Sequence, residues 1–484
     1  MNLKQPQLFK QQQCINGQWV DAHSRQTFAV ENPFDGTLIG RVPQGGAADA
    51  RDAIAAAHAA FPAWKSKPVR ERSVLLRRWA ELIEAHKDDL ALIMTLEQGK
   101  PLAEARGEIE YGNAFLHWFA EEAKRAYGDV IPSIANDRRL LAIKQPIGVC
   151  AAITPWNFPN AMIMRKCAPA LAVGCTMVIK PAEGTPLSAL ALMELAQQAG
   201  IPAGVLNMVT GDPVAIGQEL SSHPLVKKLS FTGSTRVGKL LMQQASDTVK
   251  KLSLELGGNA PFIVFEDADP AEALKGLLLA KFRNAGQTCI AANRVYVHES
   301  LYAEFVAQLA EKVRGIQVGN GLQADVNIGP LINAAAIAKV ERLVKDALEK
   351  GARLLVGGAR HASSPLAYQP TVLADVPDSA EMACDEIFGP VVAVYRFTDE
   401  AEVIARANNT RYGLAAYFYA RDVGRVWAVA EALEYGMVSI NQGLFSTEVA
   451  PFGGIKESGF GREGSKYGME DFLEIKYLCM GITR

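Results

Sequence analysis

The chain has 484 residues, 49% of them hydrophobic and 21% charged, with 50 basic and 52 acidic side chains and a formal net charge of −2. These are the proportions of a globular protein, and at about 100–200 residues per domain the length calls for two or three domains with cores that need no cross-links. The balanced charge argues against a dedicated nucleic-acid binder, seven scattered cysteines without a CxxC pair argue against a disulfide framework or zinc site, and no run approaches the roughly 18–20 apolar residues of a membrane span.

Met1–Val20 lacks the apolar core of a signal peptide, so a cytoplasmic protein without a membrane partner is expected. Residues 46–128 carry apolar side chains at three- and four-residue spacing and predict helices, with a stop and restart at Gly99-Lys100-Pro101. The pattern then changes. Val149–Ile153, Thr176–Ile179, Val205–Val209 and Lys228–Phe231 read as strands, with helices at Pro186–Ala199 and Pro213–Leu220 between them. Strand–helix alternation predicts a parallel, doubly wound sheet, which binds ligands beyond the carboxyl ends of its strands. After Gly257-Gly258 a second series runs through Pro261–Phe265, Arg294–Val297, Leu301–Val313, Ile337–Lys350, Arg353–Val356, Val391–Arg396, Glu400–Asn408 and Val423–Leu433. Arg138–Lys144 and Phe472–Tyr477 are β-prone and fit neither series; a terminal strand of this kind pairs with another subunit or with the other extension. The expected architecture is two doubly wound (Rossmann-like) α/β domains plus a small β oligomerisation arm. Its boundaries are 1–127 with 147–256 for the first domain, 257–469 for the second, and 128–146 with 470–484 for the arm.

Four segments carry chemistry-bearing residues. Thr154-Pro155-Trp156-Asn157-Phe158-Pro159 follows a strand and offers the Asn157 amide at its carboxyl end; on its own it is equally a turn asparagine between prolines. Lys180-Pro181-Ala182-Glu183 also follows a strand, where a lysine and a carboxylate suit phosphates and ribose hydroxyls or simply pair with each other. Thr232-Gly233-Ser234-Thr235 joins a strand to a helix start, and a helix N-terminus offers free N–H groups to a pyrophosphate. It is not GxGxxG, the standard dinucleotide fingerprint. Gly286-Gln287-Thr288-Cys289 places a cysteine in a turn, with Glu255-Leu256-Gly257-Gly258 upstream. Cys289 is either a nucleophile, with Glu255 as base for the thiol or for a water, or a small buried hydrophobe. No histidine lies near these segments, so a Cys–His hydrolase lacks a base. No His/Cys/carboxylate cluster has metal-ligand spacing.

Together these segments resemble one family, the NAD(P)-dependent aldehyde dehydrogenases. The resemblance covers essentially the whole chain through PWNFP (155–159), KPAE (180–183), FTGST (231–235), LELGG (254–258), GQTC (286–289), EIFGP (386–390) and PFGGIKESGFGRE (451–463). Among subfamilies it is nearest to the succinate-semialdehyde dehydrogenases. The resemblance implies that Cys289 attacks the aldehyde to give a thiohemiacetal, that Asn157 and the Cys289 N–H stabilise its oxyanion, and that Glu255 activates the water that hydrolyses the resulting thioester. It implies cofactor contacts at Trp156, Lys180, Glu183, Gly233, Ser234, Leu256, Glu386 and Phe388. Glu183 favours NAD, because a carboxylate accepts from ribose hydroxyls and repels a 2′-phosphate; NADP is the alternative. Arg165, Arg283 and Ser446 match the residues that bind a distal carboxylate of the aldehyde, a geometry suited to a guanidinium fork.

Succinate semialdehyde is the expected substrate, with glutarate semialdehyde and a broader range of aldehydes as rivals. A dimer or homotetramer is expected. A thiol esterase and a non-catalytic structural role are the readings from other classes. Three positions depart from the subfamily pattern. Ala291 stands where a second cysteine is common, Phe445 where a smaller aliphatic residue is common, and Gln442 where a small residue is common. Phe445 is expected to make the pocket narrower or differently shaped and to shift substrate preference.

Overall fold

Two large sheets account for most strands of the computed structural model, which describes residues 2–482. The first has eight strands in the spatial order Gly459–Phe460, Lys251–Glu255, Val226–Thr232, Val149–Ile153, Thr176–Lys180, Leu206–Met208, Gln13–Ile15, Gln18–Val20. Its middle five strands are parallel, and the strands at its edges run antiparallel. Every residue of Thr176–Lys180 is buried, as expected for a parallel strand covered on both faces, and that is why these strands read as unbroken apolar runs. Numbered in chain order, the five parallel strands lie 5-4-1-2-3. The order therefore reverses between Val149–Ile153 and Val226–Thr232, and a crevice opens beyond their carboxyl ends.

The second sheet has seven strands in the order Arg353–Val356, Thr371–Ala374, Val391–Phe397, Ala292–His298, Ala260–Val264, Ala415–Tyr419, Met437–Ile440. All pairings are parallel except that of Arg353–Val356. Only Leu256-Gly257-Gly258-Asn259 separate the end of Lys251–Glu255 from the start of Ala260–Val264. The carboxyl ends of the first sheet are thereby tied to the amino ends of the second.

Helices Ala47–Ser66, Val69–Ala85, Lys87–Gln98 and Leu102–Glu122 fill the expected helical region, with Gly99 at φ 93 ending the third. The β-prone extensions pair with each other. Leu473–Gly481 runs antiparallel to Arg138–Pro146, and Asp129–Ile131 completes a three-stranded sheet. Ile475, Tyr477 and Met480 are exposed on its outer strand. Residues 483 and 484 of the expected arm lie outside the described residues.

Three features differ from the sequence expectation. Gln13–Ile15, Gln18–Val20, Thr27–Glu31 and Leu38–Pro43 form two antiparallel hairpins, unforeseen because their strands are short, polar and partly exposed. The first had a readable signal. Asn16-Gly17, both at positive φ (53° and 74°), is a two-residue hairpin turn. Gly459–Phe460, which the sequence boundaries assign to the second domain, closes the edge of the first sheet beside Leu254 and Glu255.

Candidate active site

At the reversal of the first sheet, strand Val149–Ile153 delivers the Thr154–Pro159 loop. Asn157 is buried, and its Nδ2 donates to the Gln287 carbonyl oxygen at 2.9 Å. A carboxamide has two N–H groups, so the second is left for another acceptor. The neighbouring strand Val226–Thr232 delivers Gly233 and Ser234. Ser234 caps helix Thr235–Ala245 by accepting the Val237 N–H at 3.4 Å. A Cβ at Gly233 would sit 2.5 Å from the Phe231 ring, so the turn tolerates only glycine. The free N–H groups of that helix start suit an anion.

Cys289 follows a tight turn at Arg283–Gly286. There Asn284 and Ala285 take left-handed φ values of 51° and 55°, uncommon for residues with a Cβ. Asn284 is held by Gln98, whose Nε2 donates to its Oδ1 at 2.9 Å. The backbone around Cys289 lies hard against the inter-sheet link. A Cβ at Gly258 would stand 2.2 Å from the Cys289 carbonyl oxygen. Burial pushes the Cys289 thiol well above its ordinary range, and the Glu255 carboxylate adds to the rise while Arg165 opposes it.

Glu255 ends its strand inside a buried charge cluster. Arg165 Nη2 lies 3.3 Å from Glu255 Oε2 and 2.8 Å from Glu463 Oε2, and Lys166 Nζ lies 2.5 Å from Glu463 Oε1. Lys166 also donates to Thr232 Oγ1 at 2.7 Å. Burial raises the Glu255 pKa; Arg165 opposes this and Glu463 reinforces it. Glu463 behaves in the opposite way, because Lys166 and Arg165 outweigh its burial and hold its carboxyl below the usual range. Of the two carboxylates, Glu255 takes up a proton first, which is the property required of a general base.

A cavity of about 290 Å³ brings most of the sequence-predicted residues together. It is lined by Cys289 and Asn157 and by Trp156, Gly233, Ser234 and Leu256. Glu386 and Phe388 form another wall. Glu386 Oε1 accepts the Gly258 N–H at 3.1 Å, burial raises its carboxyl to about 7 with Lys339 opposing, and the Phe388 ring stands edge-on to Trp156 at 5.6 Å. Arg165, Arg283 and Ser446 line the remaining side together with Tyr111. A second cavity of about 240 Å³ shares Tyr111, Phe158, Arg283 and Ser446 with the first.

Two predicted cofactor residues lie outside both cavities. Lys180 is buried at the end of its strand; it pairs with Glu183 and donates to the Pro181 carbonyl oxygen at 3.1 Å. Burial lowers its pKa, and Glu183 works against the drop. Arg165 also differs from the simple expectation of a guanidinium free for substrate, since its Nη2 is shared by Glu255 and Glu463. Arg283 is different again. Among the described residues it makes no ion pair or hydrogen bond, and its guanidinium lies 4.9 Å from the Phe158 ring centroid. Phe445 corrects the expectation of a narrowed pocket. It does not line the main cavity, and its ring packs edge-on to Tyr417 at 5.4 Å. Gln442 is exposed. No group of three or more potential metal-binding His, Cys, Asp or Glu residues occurs among the described residues, and none of their helices is long and apolar enough to cross a membrane.

The sequence reading missed Tyr111, Lys166 and Glu463. Tyr111 lies on a helix of ordinary amphipathic pattern, and Lys166 and Glu463 meet across 297 residues of chain. No local signal marks Tyr111 or Lys166, whereas Glu463 ends the stretch 451–463 on which the resemblance partly rests.

A doubly wound sheet with its crevice at the strand reversal, facing a cysteine and a buried glutamate on a second α/β layer, defines a class: enzymes of the oxidoreductase type that work on a dinucleotide and a small substrate. The model of the aldehyde dehydrogenase family matches residues 19–478, and the chain belongs to that family. It is 59% identical over 482 residues to the NADP(+) succinate-semialdehyde dehydrogenase of Escherichia coli K12, covering 100% of both chains. It is also 59% identical over 481 residues to the glutarate-semialdehyde dehydrogenase of Pseudomonas aeruginosa, covering 99% of this chain and 100% of that one. The crystal structure of a succinate-semialdehyde dehydrogenase from Burkholderia pseudomallei superimposes with a TM-score of 0.99 at 56% identity, with 100% of each chain covered. The protein is thus an aldehyde-oxidising enzyme using NAD(P).

Proposed function

We propose that the substrate is an aldehyde with a distal carboxylate, succinate semialdehyde first and glutarate semialdehyde second, and that Cys289, Asn157 and Glu255 carry out its oxidation. The observation that supports the substrate class is a convergence of unused donors. Among the described residues the Tyr111 hydroxyl and Ser446 Oγ are buried without a hydrogen-bond partner and Arg283 has no ion pair, and all three line both cavities, the first of which also holds Cys289. Buried polar groups left unpaired are costly, so a site of this kind favours a ligand that satisfies them. A carboxylate accepts from all three, and a guanidinium binds it bidentately. Arg165 contributes attraction at longer range, its guanidinium being shared by two glutamates.

The cofactor fits the crevice by its chemistry: a glycine turn, a capped helix start, an aromatic wall and a carboxylate for ribose hydroxyls. When bound, the nicotinamide supplies the hydride acceptor for the oxidation. The chain's own residues do the rest. The Cys289 sulfur adds to the aldehyde carbon. The second Asn157 N–H and the Cys289 backbone N–H receive the developing oxyanion, a role in which loss of one donor costs about 10²–10³ in rate. Glu255, raised by burial, takes a proton from the water that cleaves the thioester, and Arg165 and Glu463 fix its orientation. NAD is the favoured cofactor because Glu183 stands beside Lys180 at the strand end, where a carboxylate repels a 2′-phosphate; NADP is the alternative.

The exposed apolar outer strand Leu473–Gly481 supports a homo-oligomer, dimer or tetramer, since an unpaired edge of this kind invites a partner. Seven free cysteines support a reducing, cytoplasmic setting. The test is reduced-cofactor formation from succinate semialdehyde, glutarate semialdehyde and neutral butyraldehyde. Higher kcat/KM for the acidic aldehydes is expected. A preference for butyraldehyde would remove the carboxylate reading and leave the family assignment untouched.

A further inference from the structure

The cluster around Lys100 lies behind the catalytic loop, not in it. Lys100 and Glu108 are each about 1% exposed at the side chain and pair at 2.5 Å. Lys100 Nζ also donates to the Asn157 carbonyl oxygen at 2.7 Å and stands 4.2 Å from the Phe158 ring centroid. Two of its three N–H groups are taken by oxygen, and its charge faces an aromatic ring. Glu108 turns its other oxygen, Oε1, to the backbone N–H groups of Asn160 at 2.9 Å and Ala161 at 3.2 Å. Those N–H groups open helix Ala161–Val173, where a carboxylate is favoured by the helix dipole. The loop bearing the oxyanion amide is therefore gripped on both sides by one ion pair: at the carbonyl of Asn157 itself, and at the N–H groups three and four residues on. Asn284 Nδ2 supplies a second donor to the Asn157 carbonyl at 3.0 Å.

We propose that Lys100, held by Glu108, is a positioning residue for the oxyanion amide: by fixing the Asn157 carbonyl it fixes the backbone from which the Asn157 side chain projects toward the Cys289 adduct. This rests on the reading of Cys289 as nucleophile and Asn157 as oxyanion donor. A buried ion pair is weak evidence of a stability role, because apolar replacements often serve as well. Here both partners spend their remaining hydrogen bonds on one catalytic loop.

The test compares Lys100→Met, Glu108→Gln, Asn157→Ala and the double variant Lys100→Met/Asn157→Ala, all as full chains. Three quantities are read: kcat and KM for succinate semialdehyde with NAD, and the rate of Cys289 alkylation by iodoacetamide, a substitution that forms no oxyanion. With an amide displaced rather than deleted, kcat of K100M is expected to fall by about 10–100-fold, less than the full loss of a donor. KM should change less than threefold, and alkylation less than twofold. In the Asn157→Ala background the K100M effect on kcat should vanish, since residues acting as one unit are not additive. Glu108→Gln keeps an oxygen for the helix N–H groups, and it should show the same signature in weaker form; it carries the test if K100M does not fold. Three results would overturn the proposal: an unchanged kcat, a parallel loss of turnover and alkylation, or an additive loss in the double variant. If Asn157→Ala itself leaves kcat unchanged, the underlying reading of Asn157 fails instead, which is a separate outcome.

Discussion

Arg283 and Arg165 entered as an equivalent pair, and the structure makes them unequal in a way that kinetics can read. Arg283 lines both cavities and is committed to nothing but a ring face. Arg283→Ala removes only what it gives the substrate. A hydrogen bond to a charged group contributes about 1.5–3 kcal/mol, which at about 1.4 kcal/mol per factor of ten is a loss of about 10–150-fold in kcat/KM. The loss should appear for succinate semialdehyde, mostly in KM, and be absent for butyraldehyde. Arg165→Ala is a different perturbation. It strips the counter-charge from Glu255 and Glu463, both buried. Breaking a buried pair on one side costs about 3–5 kcal/mol, so Tm should drop as well. The raised pKa of Glu255 should rise further, since Arg165 is the main influence holding it down. The acid limb of the pH–kcat profile would then move to higher pH for acidic and neutral aldehydes alike. Initial rates with both aldehydes over a pH series, together with a thermal melt, separate the two cases. If both variants lose only the acidic substrate, with equal folds and no pH shift, the division of labour argued from the Arg165–Glu255–Glu463 contacts is wrong.

Three further outcomes are expected. Glu255→Gln should abolish steady-state turnover while preserving a burst of reduced cofactor near one per active site. It should leave Cys289 alkylation by iodoacetamide unchanged or faster, because the Glu255 carboxylate helps to raise the thiol pKa; slower alkylation would make Glu255 the base for the thiol rather than for water. Glu183→Ser should move the kcat/KM ratio of NADP to NAD upward by about tenfold or more, as expected from removing one nearby like charge, and an unchanged ratio would sever Glu183 from cofactor choice. Ile475→Lys, a charge placed on the exposed outer strand, should shift the mass measured by light scattering toward smaller species, and an unchanged oligomer would place the interface elsewhere.

What the sequence shows well is what burial writes into it. Thr176–Lys180 and Ala260–Val264 are covered on both faces, so every residue of each lies inside and each run stands out from its surroundings. The turns after them could be placed at strand ends for the same reason. Strands exposed on one side, such as Thr27–Glu31, left no such mark. The chemistry divides along similar lines. Asn157, Glu255 and Cys289 each sit in a short motif, and the resemblance carries them. Lys166, Glu463 and Lys100 meet partners distant in the chain, Lys166 with Glu463 and Lys100 with the Asn157 carbonyl, and a lysine or glutamate looks the same in sequence whether it faces water or a buried partner. Phe445 lies outside the main cavity for a related reason: its place beside Ser446 in sequence does not decide on which side of the backbone its ring falls.

The order of the two sheets explains how Cys289 and Glu255, the proposed nucleophile and base, are held at one site. Glu255 is the last residue of a strand in the first sheet, and Cys289 precedes a strand, Ala292–His298, of the second. The two strands belong to different hydrophobic cores. What couples them is the four-residue link Leu256–Asn259 and the absence of a side chain at Gly258, which lets the link press on the Cys289 carbonyl. Burial raises the pKa of both groups; the Glu255 carboxylate adds to the rise of the thiol, and Glu463 adds to that of Glu255. A Cys–His pair would keep a reactive thiolate at all times. Burial and a neighbouring carboxylate instead favour the protonated thiol at Cys289. Two sources of positive potential, the Arg283 guanidinium and the helix start after Ser234, line the same cavity as the thiol.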